Sequence, residues 1–508
     1  MKVAVVGGGI SGLSAVWLLN EYSEHQVDLF EANNYIGGHT NTVSVKPTSA
    51  PACNVDTGFI VFNKLTYPNF LNFLKLLNVE YISSRMSFSV KRNFQPSYEW
   101  SGNQIKCLFE GITTWTDWIS QYRLIWDLVR FNWLAVDVLK ESEKTLTIDE
   151  YLIENNYSEA FKRNYLLPMI SSIWSTPADK TLLLFPMRTL VRFMSNHHLL
   201  QILNQPEWLT IKNGSKTYVD KIMSKMDPLR VFKNTPIHSI SINQSGQINL
   251  NVLPSQSYGP YDQVIFGAHA DQIVKLLKKS DCCILLSEQI EILSKFHFNQ
   301  NHAVLHNDLS LMPNHRDIWS AWNYCITPSE QIKPVKAHEI PCKLSHHSQV
   351  ESTVSLTYCM NLLQSIPEKD YGLVLVTLNP PRPIDSKFVF GTWKYEHPLY
   401  TAESVEAQKQ IAQIQTKNGL SFVGAWTNYG FHEDGLTSTL KLLTIEGAEL
   451  FGVKAPIGVC IKDEPVQRAG WILRFFFTLI QFLIEVVLKF WVLFDTRLGF
   501  RKSSYKVQ

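Results

Sequence analysis

The chain has 508 residues, of which 45% are hydrophobic, so it is long enough for two or three domains with a sizeable core. Its formal net charge is only +2, with Lys and Arg scattered along the sequence, which argues against nucleic-acid binding. Its eight cysteines form no C-x-x-C pair and lack zinc-like spacing with histidine, so we expect reduced, mostly buried thiols and no metal site. The first residues resemble a core strand rather than a signal peptide, which predicts an intracellular, cytosol-facing protein.

The amino-terminal residues have the pattern of a dinucleotide-binding strand, turn and helix. Residues 2–6 form a short β-branched run, residues 7–12 fit G-x-G-x-x-G, and residues 13–20 have helical apolar spacing. A second strand-like segment, residues 27–30, ends at Glu31, where a carboxylate would accept hydrogen bonds from an adenosine ribose. The pattern predicts a Rossmann-like domain that binds a dinucleotide at the start of its first helix.

Each glycine of this fingerprint has its own expected role. Gly7 permits the tight turn, Gly9 lets the backbone approach a pyrophosphate, and Gly12 permits close packing of the helix. The amino terminus of the helix adds positive potential, which favours bound phosphates.

Later segments resemble those of the flavin-containing amine oxidoreductases. Residues 37–42, GGHTNT, resemble the G-G-R-x-x-T segment of that superfamily, with His39 at the position of its arginine. Residues 211–218 resemble its G-G-S segment, and residues 261–268 resemble its strand running toward the nucleotide. The superfamily includes monoamine and polyamine oxidases, phytoene desaturases and protoporphyrinogen oxidases. Within it, the stretches VDTGFIVFNKLTYPNF, VLHNDLSLMP and GFHEDGL resemble a group of predicted NAD/FAD-binding oxidoreductases, and the resemblance covers roughly residues 1–450.

This resemblance implies a fold of α/β and α+β type, in which a Rossmann-like FAD-binding domain is interleaved with a substrate domain of mixed sheet and helices. The expected segments are 1–85, 208–280 and 385–450 for the FAD-binding domain, and 86–207 and 281–384 for the substrate domain. Within the substrate domain, the polar stretch 327–352 is expected to be an exposed loop.

The resemblance also implies which residues contact FAD, most of them glycines or residues at helix starts. The predicted cofactor-binding residues are Gly7, Gly9, Ile10, Ser11, Gly12, Glu31, Ala32, Gly38, His39, Thr40, Gly58, Ile237, Gly424, Gly435 and Leu436. In the final flavin segment of the superfamily, N–H groups at a helix start reach the N1/O2 side of the flavin ring.

The stretch YGFHEDGLTSTLK places His432, Glu433 and Asp434 side by side, directly before Gly435 and a predicted helix that begins near Leu436. The triplet fits an acid/base cluster, a metal site or part of a cofactor cradle. The resemblance favours the cradle, with the glycine and leucine acting through their backbones. Both carboxylates are then expected to be helix-start residues.

No pattern identifies a catalytic residue, and the candidates are His302, Trp393, Tyr429 and His432. His302 and His306 are four residues apart and would share a metal on a helix, but the residues between them are β-like. We therefore expect them on one face of a strand, as structural histidines or, for His302, as part of the site lining.

Four aromatic residues recur at helical spacing in the first part of the substrate domain. Trp115, Trp118, Tyr122 and Trp126 are expected to share one helix face. The stripe fits either ordinary core packing or the wall of an apolar substrate tunnel.

Near the carboxyl end, residues 471–494 read WILRFFFTLIQFLIEVVLKFWVLF, which is long enough to span a bilayer. The polar residues of this run fall on one narrow stripe of a helix: Arg474, Thr478, Gln481, Glu485 and Lys489. The pattern favours an amphipathic helix over residues 469–500 that lies in a membrane interface, and a helix packed on the protein body is the alternative.

Together these features predict an FAD-dependent oxidoreductase that acts on a C–C or C–N bond of an apolar, lipid-like substrate. An amine oxidase that releases hydrogen peroxide is a second interpretation. A third, of another class, is a non-catalytic prenyl-protein or lipid-binding module, because proteins of the GDP-dissociation-inhibitor type resemble this fold.

Overall fold

In the computed structural model, the part of the chain described spans most of the sequence, with short gaps and one long one. The described residues are 1–46, 51–92, 98–110, 112, 114–140, 146–175, 185–201, 206–252, 256–327, 353–461, 465 and 467–498. The predicted loop 327–352 therefore lies almost wholly outside the described residues.

Twenty strands make up the described sheets. They are β1 (Lys2–Val6), β2 (Gln26–Phe30), β3 (Thr42–Val45), β4 (Cys53–Asp56), β5 (Phe62–Asn63), β6 (Tyr81–Ser84), β7 (Phe88–Arg92), β8 (Tyr98–Ser101), β9 (Trp208–Ile211), β10 (Val231–Phe232), β11 (Ser239–Ile242), β12 (Ile248–Val252), β13 (Gln256–Tyr261), β14 (Gln263–Phe266), β15 (His297–His306), β16 (Trp322–Thr327), β17 (Thr353–Cys359), β18 (Leu375–Leu378), β19 (Val389–Leu399) and β20 (Leu420–Phe422).

The α-helices range from single turns to a long carboxyl-terminal helix. They are α1 (Ile10–Tyr22), α2 (Pro68–Leu76), α3 (Trp115–Leu134), α4 (Ile148–Glu154), α5 (Glu159–Phe161), α6 (Leu167–Trp174), α7 (Met187–Asn196), α8 (Lys216–Met223), α9 (Ala270–Lys278), α10 (Ser287–Leu293), α11 (Met360–Leu363), α12 (Glu368–Tyr371), α13 (Ala402–Gln408), α14 (Ile411–Ile414), α15 (His432–Lys441), α16 (Ala448–Phe451) and α17 (Trp471–Leu498).

A five-stranded parallel sheet in the order β10-β2-β1-β14-β20 forms the Rossmann-like part. Its strands are short apolar runs, and Val3, Ala4 and Val5 of the central strand are fully buried. Such runs are typical of parallel strands covered on both faces. The strands come from three separate parts of the sequence, so the Rossmann-like fold predicted from the fingerprint is confirmed and is discontinuous along the chain.

A seven-stranded mixed sheet, in the order β19-β15-β18-β17-β16-β7-β8, forms the second large unit. The predicted FAD-binding segment 385–450 includes β19, yet this strand pairs along its whole length with β15 of the seven-stranded sheet. Strand pairing over about 90 residues leaves no signal in local periodicity. The division into domains, including this boundary, remains a prediction.

Helix α3 does not bury the aromatic stripe that the sequence indicated. Trp115 is 73% exposed and Tyr122 is 59% exposed, while Trp126 contacts α17 near the other end of the chain. The stripe is thus not a core element, and its role as a tunnel wall remains a prediction.

Among the described residues, no helix combines the length and the apolar character needed to cross a membrane.

The seven cysteines in the described part of the chain are free thiols, as expected. Only Cys107, Cys325 and Cys359 are buried, however, and Cys460 is exposed. The expectation of mostly buried thiols was therefore too broad, because composition does not show how each thiol packs.

Candidate cofactor site

The fingerprint loop is tightly packed at two of its glycines and open at the third. Gly7 has φ +110°, a backbone conformation that favours glycine, and a Cβ on Gly12 would lie 1.9 Å from the Gly7 carbonyl oxygen. By contrast, a Cβ on Gly9 would meet no atom within 4 Å. The loop therefore leaves free space in front of Gly9, at the amino terminus of α1.

Glu31 stands at the end of β2, as the sequence predicted, and is buried. One carboxylate oxygen accepts a hydrogen bond from the Gly8 N–H at 2.7 Å, and the other accepts from the Asn33 N–H at 2.8 Å. Each carboxylate oxygen can accept more than one hydrogen bond, so this arrangement leaves capacity for a ribose hydroxyl. Through its hydrogen bond with Gly8, Glu31 also holds the glycine loop against the end of β2.

The segment around His39 lies directly against the fingerprint loop. A Cβ on Gly38 would lie 3.0 Å from the Gly9 Cα, and one on Gly58 would lie 2.3 Å from the His39 carbonyl oxygen. The sequence-distant glycines predicted to bind the cofactor thus meet at one place. The buried Nε2 of His39 has no hydrogen-bond partner among the described residues.

Two further histidines surround His39. The His39 ring centroid lies 5.2 Å from that of His397 and 5.9 Å from that of His269, while the Tyr395 ring is 5.1 Å away. Burial, and secondarily the neighbouring His397, holds the pKa of His39 well below its usual value. Burial also lowers the pKa of His397 to about 4, so both rings are neutral at neutral pH.

Sequence reasoning missed His269 and His397 because they lie more than 200 residues from His39. The only sequence signal for His269 was its position directly after the Gly267-Ala268 end of β14, which abuts the fingerprint: a Cβ on Gly267 would lie 2.8 Å from the Gly12 nitrogen. For His397, neither spacing nor composition gave a signal.

One group in the described part of the chain has metal-like geometry. His269, Asp271 and Glu396 bring one ligand atom each to within 4.8 Å of one another. The carboxylates already have protein partners, since Lys275 pairs with Asp271 at 2.7 Å and Gln272 donates to Glu396 at 3.0 Å. One oxygen of each carboxylate is thus paired within the protein, while the buried Asp271 Oδ1 has no partner among the described residues.

The final predicted flavin segment folds differently at its helix start. Helix α15 begins at His432 rather than near Leu436, so Gly435 is already its fourth residue. The Gly435 N–H donates to the Phe431 carbonyl oxygen at 3.0 Å and is not available to a ligand. The N–H of Leu436 is likewise intrahelical by helix geometry. Free N–H donors at this end belong instead to the first turn, which begins at His432.

Gly435 has a packing role that the sequence did not reveal. A Cβ at this position would lie 2.8 Å from Ile10 Cγ2 and 2.8 Å from Ser11 Oγ, both in the first turn of α1. Thr439, one turn later, donates to the Ser11 carbonyl oxygen at 2.9 Å. The glycine therefore allows α15 to press against the helix start that would hold the phosphates.

The two carboxylates of the triplet serve two different helices. Asp434 accepts from the Phe431 N–H at 2.9 Å and caps its own helix, as predicted. Glu433 instead accepts from the Asn69 and Phe70 N–H groups at 2.9 and 2.8 Å, which caps the start of α2. Burial raises the pKa of Asp434 to about 7 and that of Glu433 to about 8.

His432 is buried between the two parts of the site. Its Nε2 lies 2.9 Å from Thr40 Oγ1, and its ring stacks on Phe59 with centroids 3.6 Å apart. Thr40 Oγ1 also lies 2.5 Å from the Tyr218 hydroxyl oxygen. Burial lowers the pKa of His432 to about 3, so it acts as a neutral hydrogen-bonding side chain.

The remaining catalytic candidates do not converge. His302 is exposed on β15, which confirms the predicted strand but places this side chain at the surface. His306 is buried, and its Nδ1 accepts from the Asp308 N–H, so Nε2 is the nitrogen that donates to Thr377 Oγ1, at 2.7 Å. Trp393 is partly buried and packs against the core of the seven-stranded sheet.

Tyr429 lies in an aromatic junction between the helical part and the final flavin segment. Its ring centroid is 5.5 Å from that of Phe193, which also stacks on Phe431 at 5.3 Å. The Trp174 Nε1–H donates to the Tyr429 carbonyl oxygen at 3.1 Å. The junction also contains Tyr400, whose buried hydroxyl has no partner among the described residues.

The other predicted cofactor contacts are spread around the sheet edge. Gly424 follows β20, and its N–H donates to Ser438 Oγ at 3.0 Å. Ile237 packs against the core next to β11, and Ala32 is exposed after β2. Contact of these residues with a cofactor remains a prediction.

The residues present fit a dinucleotide. The free space at Gly9 lies at the uncapped amino terminus of α1, and Gly38, next to His39 with its Nε2 unpartnered among the described residues, lies against Gly9. Phosphates bind at such helix starts because the N–H groups and the helix dipole favour negative charge. Ligands of open parallel sheets also bind at the carboxyl ends of the strands, where this helix start lies.

Comparison with known families covers the amino-terminal part of this site. A family model described as "NAD(P)-binding Rossmann-like domain" matches residues 5–77. No curated protein matches the sequence. The fingerprint assignment is therefore supported independently over the segment that carries it.

Solved structures are similar over nearly the whole chain. A cyclohexylamine oxidase from Brevibacterium oxydans IH-35A has a TM-score of 0.57 at 11% identity, covering 88% of this chain and 99% of its own. A CLA-producing fatty acid isomerase from P. acnes has a TM-score of 0.55 at 12% identity, covering 87% and 97%. A reduced UDP-galactopyranose mutase has a TM-score of 0.56 at 12% identity, covering 88% and 94%.

Identities this low establish the fold and leave the activity open. The fold that the sequence motifs predicted is confirmed at this level. The chain shares the fold of these solved structures over nearly its whole length.

Proposed function

We propose that this chain is an FAD-dependent oxidoreductase that removes a hydride equivalent from a C–C or C–N bond of an apolar substrate. The observation that carries the proposal is the free space in front of Gly9, within a glycine loop that is otherwise packed to contact. At this position the open space lies directly before the helix start, where a phosphate group would bind. Bound FAD supplies hydride acceptance from a substrate C–H bond.

The chain's own residues supply binding and orientation. Glu31 and the start of α1 would hold the adenosine and phosphate groups, with His39 at the position of the superfamily's arginine. A neutral histidine donates fewer hydrogen bonds than arginine, so we expect it to contribute through one ring nitrogen rather than through charge. The first turn of α15, from His432, would face the flavin ring and favour negative charge there.

The aromatic junction supports an apolar substrate. Trp174, Phe193, Tyr400, Tyr429 and Phe431 line the place where the helical part meets the final flavin segment. Small-molecule sites are typically lined by apolar and aromatic side chains with a few polar groups, and the buried Tyr400 hydroxyl, which has no partner among the described residues, is such a group. The solved fatty acid isomerase shows that a chain of this fold can act on a lipid.

Amine oxidation is the second candidate, favoured by the structural likeness to a cyclohexylamine oxidase. The two candidates differ in substrate and in product. We expect anaerobic incubation with lipid extracts to bleach the flavin absorbance of the purified protein, and aerobic incubation with amines to release no hydrogen peroxide. Bleaching by amines with peroxide release would instead identify an amine oxidase.

The non-catalytic alternative makes a different prediction. A lipid-binding module of the GDP-dissociation-inhibitor type would purify without flavin bands and would not gain them on addition of FAD. An absorption spectrum before and after addition of FAD therefore separates a binding module from both enzymatic candidates.

A further inference from the structure

The carboxyl-terminal helix α17 packs on the protein through its polar stripe. The Arg474 guanidinium pairs with Asp137 at 2.5 Å, and the Trp126 Nε1–H donates to Gln481 Oε1 at 3.0 Å. Phe477, between them, is 5% exposed and contacts Trp126 with ring centroids 5.6 Å apart. The orientation is the reverse of an ordinary surface helix, whose apolar stripe faces the core.

As a result, most of the large apolar side chains described in α17 point away from the protein, with Phe477 as an exception. Between residues 471 and 487, each of the large hydrophobic side chains in this set is at least 37% exposed: Trp471, Ile472, Phe475, Phe476, Leu479, Ile480, Phe482, Leu483 and Val487. Soluble monomers rarely expose so many contiguous apolar side chains, and such patches mark interaction surfaces. The helix therefore needs a partner for its outer side.

Helix α3 extends this apolar surface. Trp115, Tyr122 and Trp133 are 73%, 59% and 49% exposed and lie within about 40° of Trp126 around the helix, at 3.6 residues per turn. Because Trp126 is the residue on which α17 packs, the exposed aromatic side chains flank the crossing of the two helices. We refer to these three side chains and the exposed apolar side chains of α17 as the outer face.

We propose that the outer face docks on the surface of a lipid bilayer that contains anionic headgroups. Tryptophan and tyrosine side chains favour the boundary between headgroups and acyl chains, and aliphatic and phenylalanine side chains favour the acyl region below it. The outer face presents both kinds, on two helices that contact each other through Trp126. A helix that lies in the interface uses this arrangement without crossing the bilayer.

The sequence after the apolar run adds charge complementarity. Beyond residue 490 it contains Arg497, Arg501, Lys502 and Lys506 against a single acid, Asp495. Basic residues next to a membrane-bound helix are attracted to anionic lipids, by about 1 kcal/mol each near the surface. This charge favours an anionic bilayer, which offers many negative headgroups, over a second copy of a chain with a formal net charge of +2.

The test is flotation of the full-length protein with vesicles of phosphatidylcholine alone or mixed with phosphatidylserine. We expect the protein to float with both, and more strongly with the anionic vesicles at low salt. The double variant Phe476→Glu/Leu483→Glu should partition into the vesicles at least about tenfold more weakly. It places two charges in the part of the outer face that would enter the acyl region of the bilayer. The double variant Trp115→Ser/Tyr122→Ser should also weaken partitioning into the vesicles. If α17 alone bound the bilayer, these two substitutions in α3 would have no effect.

A matched control is Leu229→Glu/Ile284→Glu, which changes two residues that are 85% and 87% exposed and lie outside both helices. The control should float like the wild-type protein, and all variants should retain the wild-type melting temperature. Failure of the wild-type protein to float, or equal flotation of the α17 variant and the control, would overturn the proposal. A third outcome would also overturn the proposal: the protein does not bind vesicles but forms a concentration-dependent dimer, and the same α17 substitutions abolish that dimer. This result would assign the outer face to a second copy of the chain.

Discussion

At the scale of single residues, the triplet His432-Glu433-Asp434 shows how one short stretch can serve several structural tasks. His432 joins Thr40 and Phe59, Glu433 caps α2, and Asp434 caps α15. Their adjacency in sequence suggested an acid/base cluster. In the fold they contact different neighbours, and burial is the main cause of the shift in the pKa of each.

Glu433 gives a prediction for the pH dependence of stability. Its pKa is about 8 in the fold and starts from an ordinary value of 4.5, so the folded state holds a proton that the unfolded chain releases between these values. The free energy of unfolding should therefore fall as pH rises through this window. Glu433→Gln should make that fall shallower between about pH 5 and pH 8, as measured by urea denaturation.

Glu449→Gln serves as the control, because Glu449 is exposed on the helix that follows. It should leave the pH dependence of unfolding unchanged. An identical slope in the wild-type protein and Glu433→Gln would show that the buried carboxyl does not hold a proton in this window.

At the scale of secondary-structure elements, the close approach of α1 and α15 connects the two ends of the cofactor site. Gly435→Val would place side-chain atoms against Ile10 and Ser11, displacing the first turn of α1. We expect this variant to lose most of its bound flavin, measured as the ratio of flavin to protein absorbance after desalting. The variant Glu433→Gln weakens only the cap of α2, so it should retain far more bound flavin than Gly435→Val.

Gly458→Val is the matched control, since a Cβ at Gly458 would meet no atom within 4 Å. It should bind flavin like the wild-type protein. Flavin retention by Gly435→Val equal to that of the control would mean that the helix contact does not shape the site.

The elements also show what sequence alone could and could not predict. The strand, glycine loop, α1 and β2 follow from spacing within about 30 residues, and all are present as expected. The pairing of β19 with β15, by contrast, joins segments about 90 residues apart. The residue pattern within either segment gives no information about its partner strand. The start of α15 was placed four residues late because the helix was expected to begin after Gly435, whereas Gly435 lies within its first turns.

At the scale of the whole molecule, the same limit applies to contacts across the chain. The narrow polar stripe of α17 was visible in the sequence, but its partners Asp137 and Trp126 lie more than 300 residues away. Periodicity therefore predicted the helix and its two faces, while only the fold shows which face is buried. The histidines around His39 were invisible for the same reason.

The whole-molecule arrangement also relates the site to the outer face. An apolar, aromatic junction lies at the candidate site, and an exposed apolar face lies on the helical part of the same chain. Both features suit a lipid-like substrate taken from a bilayer. The two proposals rest on different residues and fail separately, since flavin binding does not depend on vesicle binding.

The central claim is that the free space at Gly9 is a cofactor site, and a pair of glycine substitutions tests it most directly. Gly9 has φ −78°, so alanine fits its backbone, and a Cβ there meets nothing, whereas a Cβ on Gly12 would collide with the Gly7 carbonyl. Measured in the cofactor-free protein, the melting temperature of Gly9→Ala should equal that of the wild-type protein, while Gly12→Ala should melt lower. On titration with FAD, Gly9→Ala should bind at least about tenfold more weakly than the wild-type protein, a loss of about 1.4 kcal/mol. Equal FAD affinity of Gly9→Ala and the wild-type protein, or no FAD binding by either, would contradict the claim.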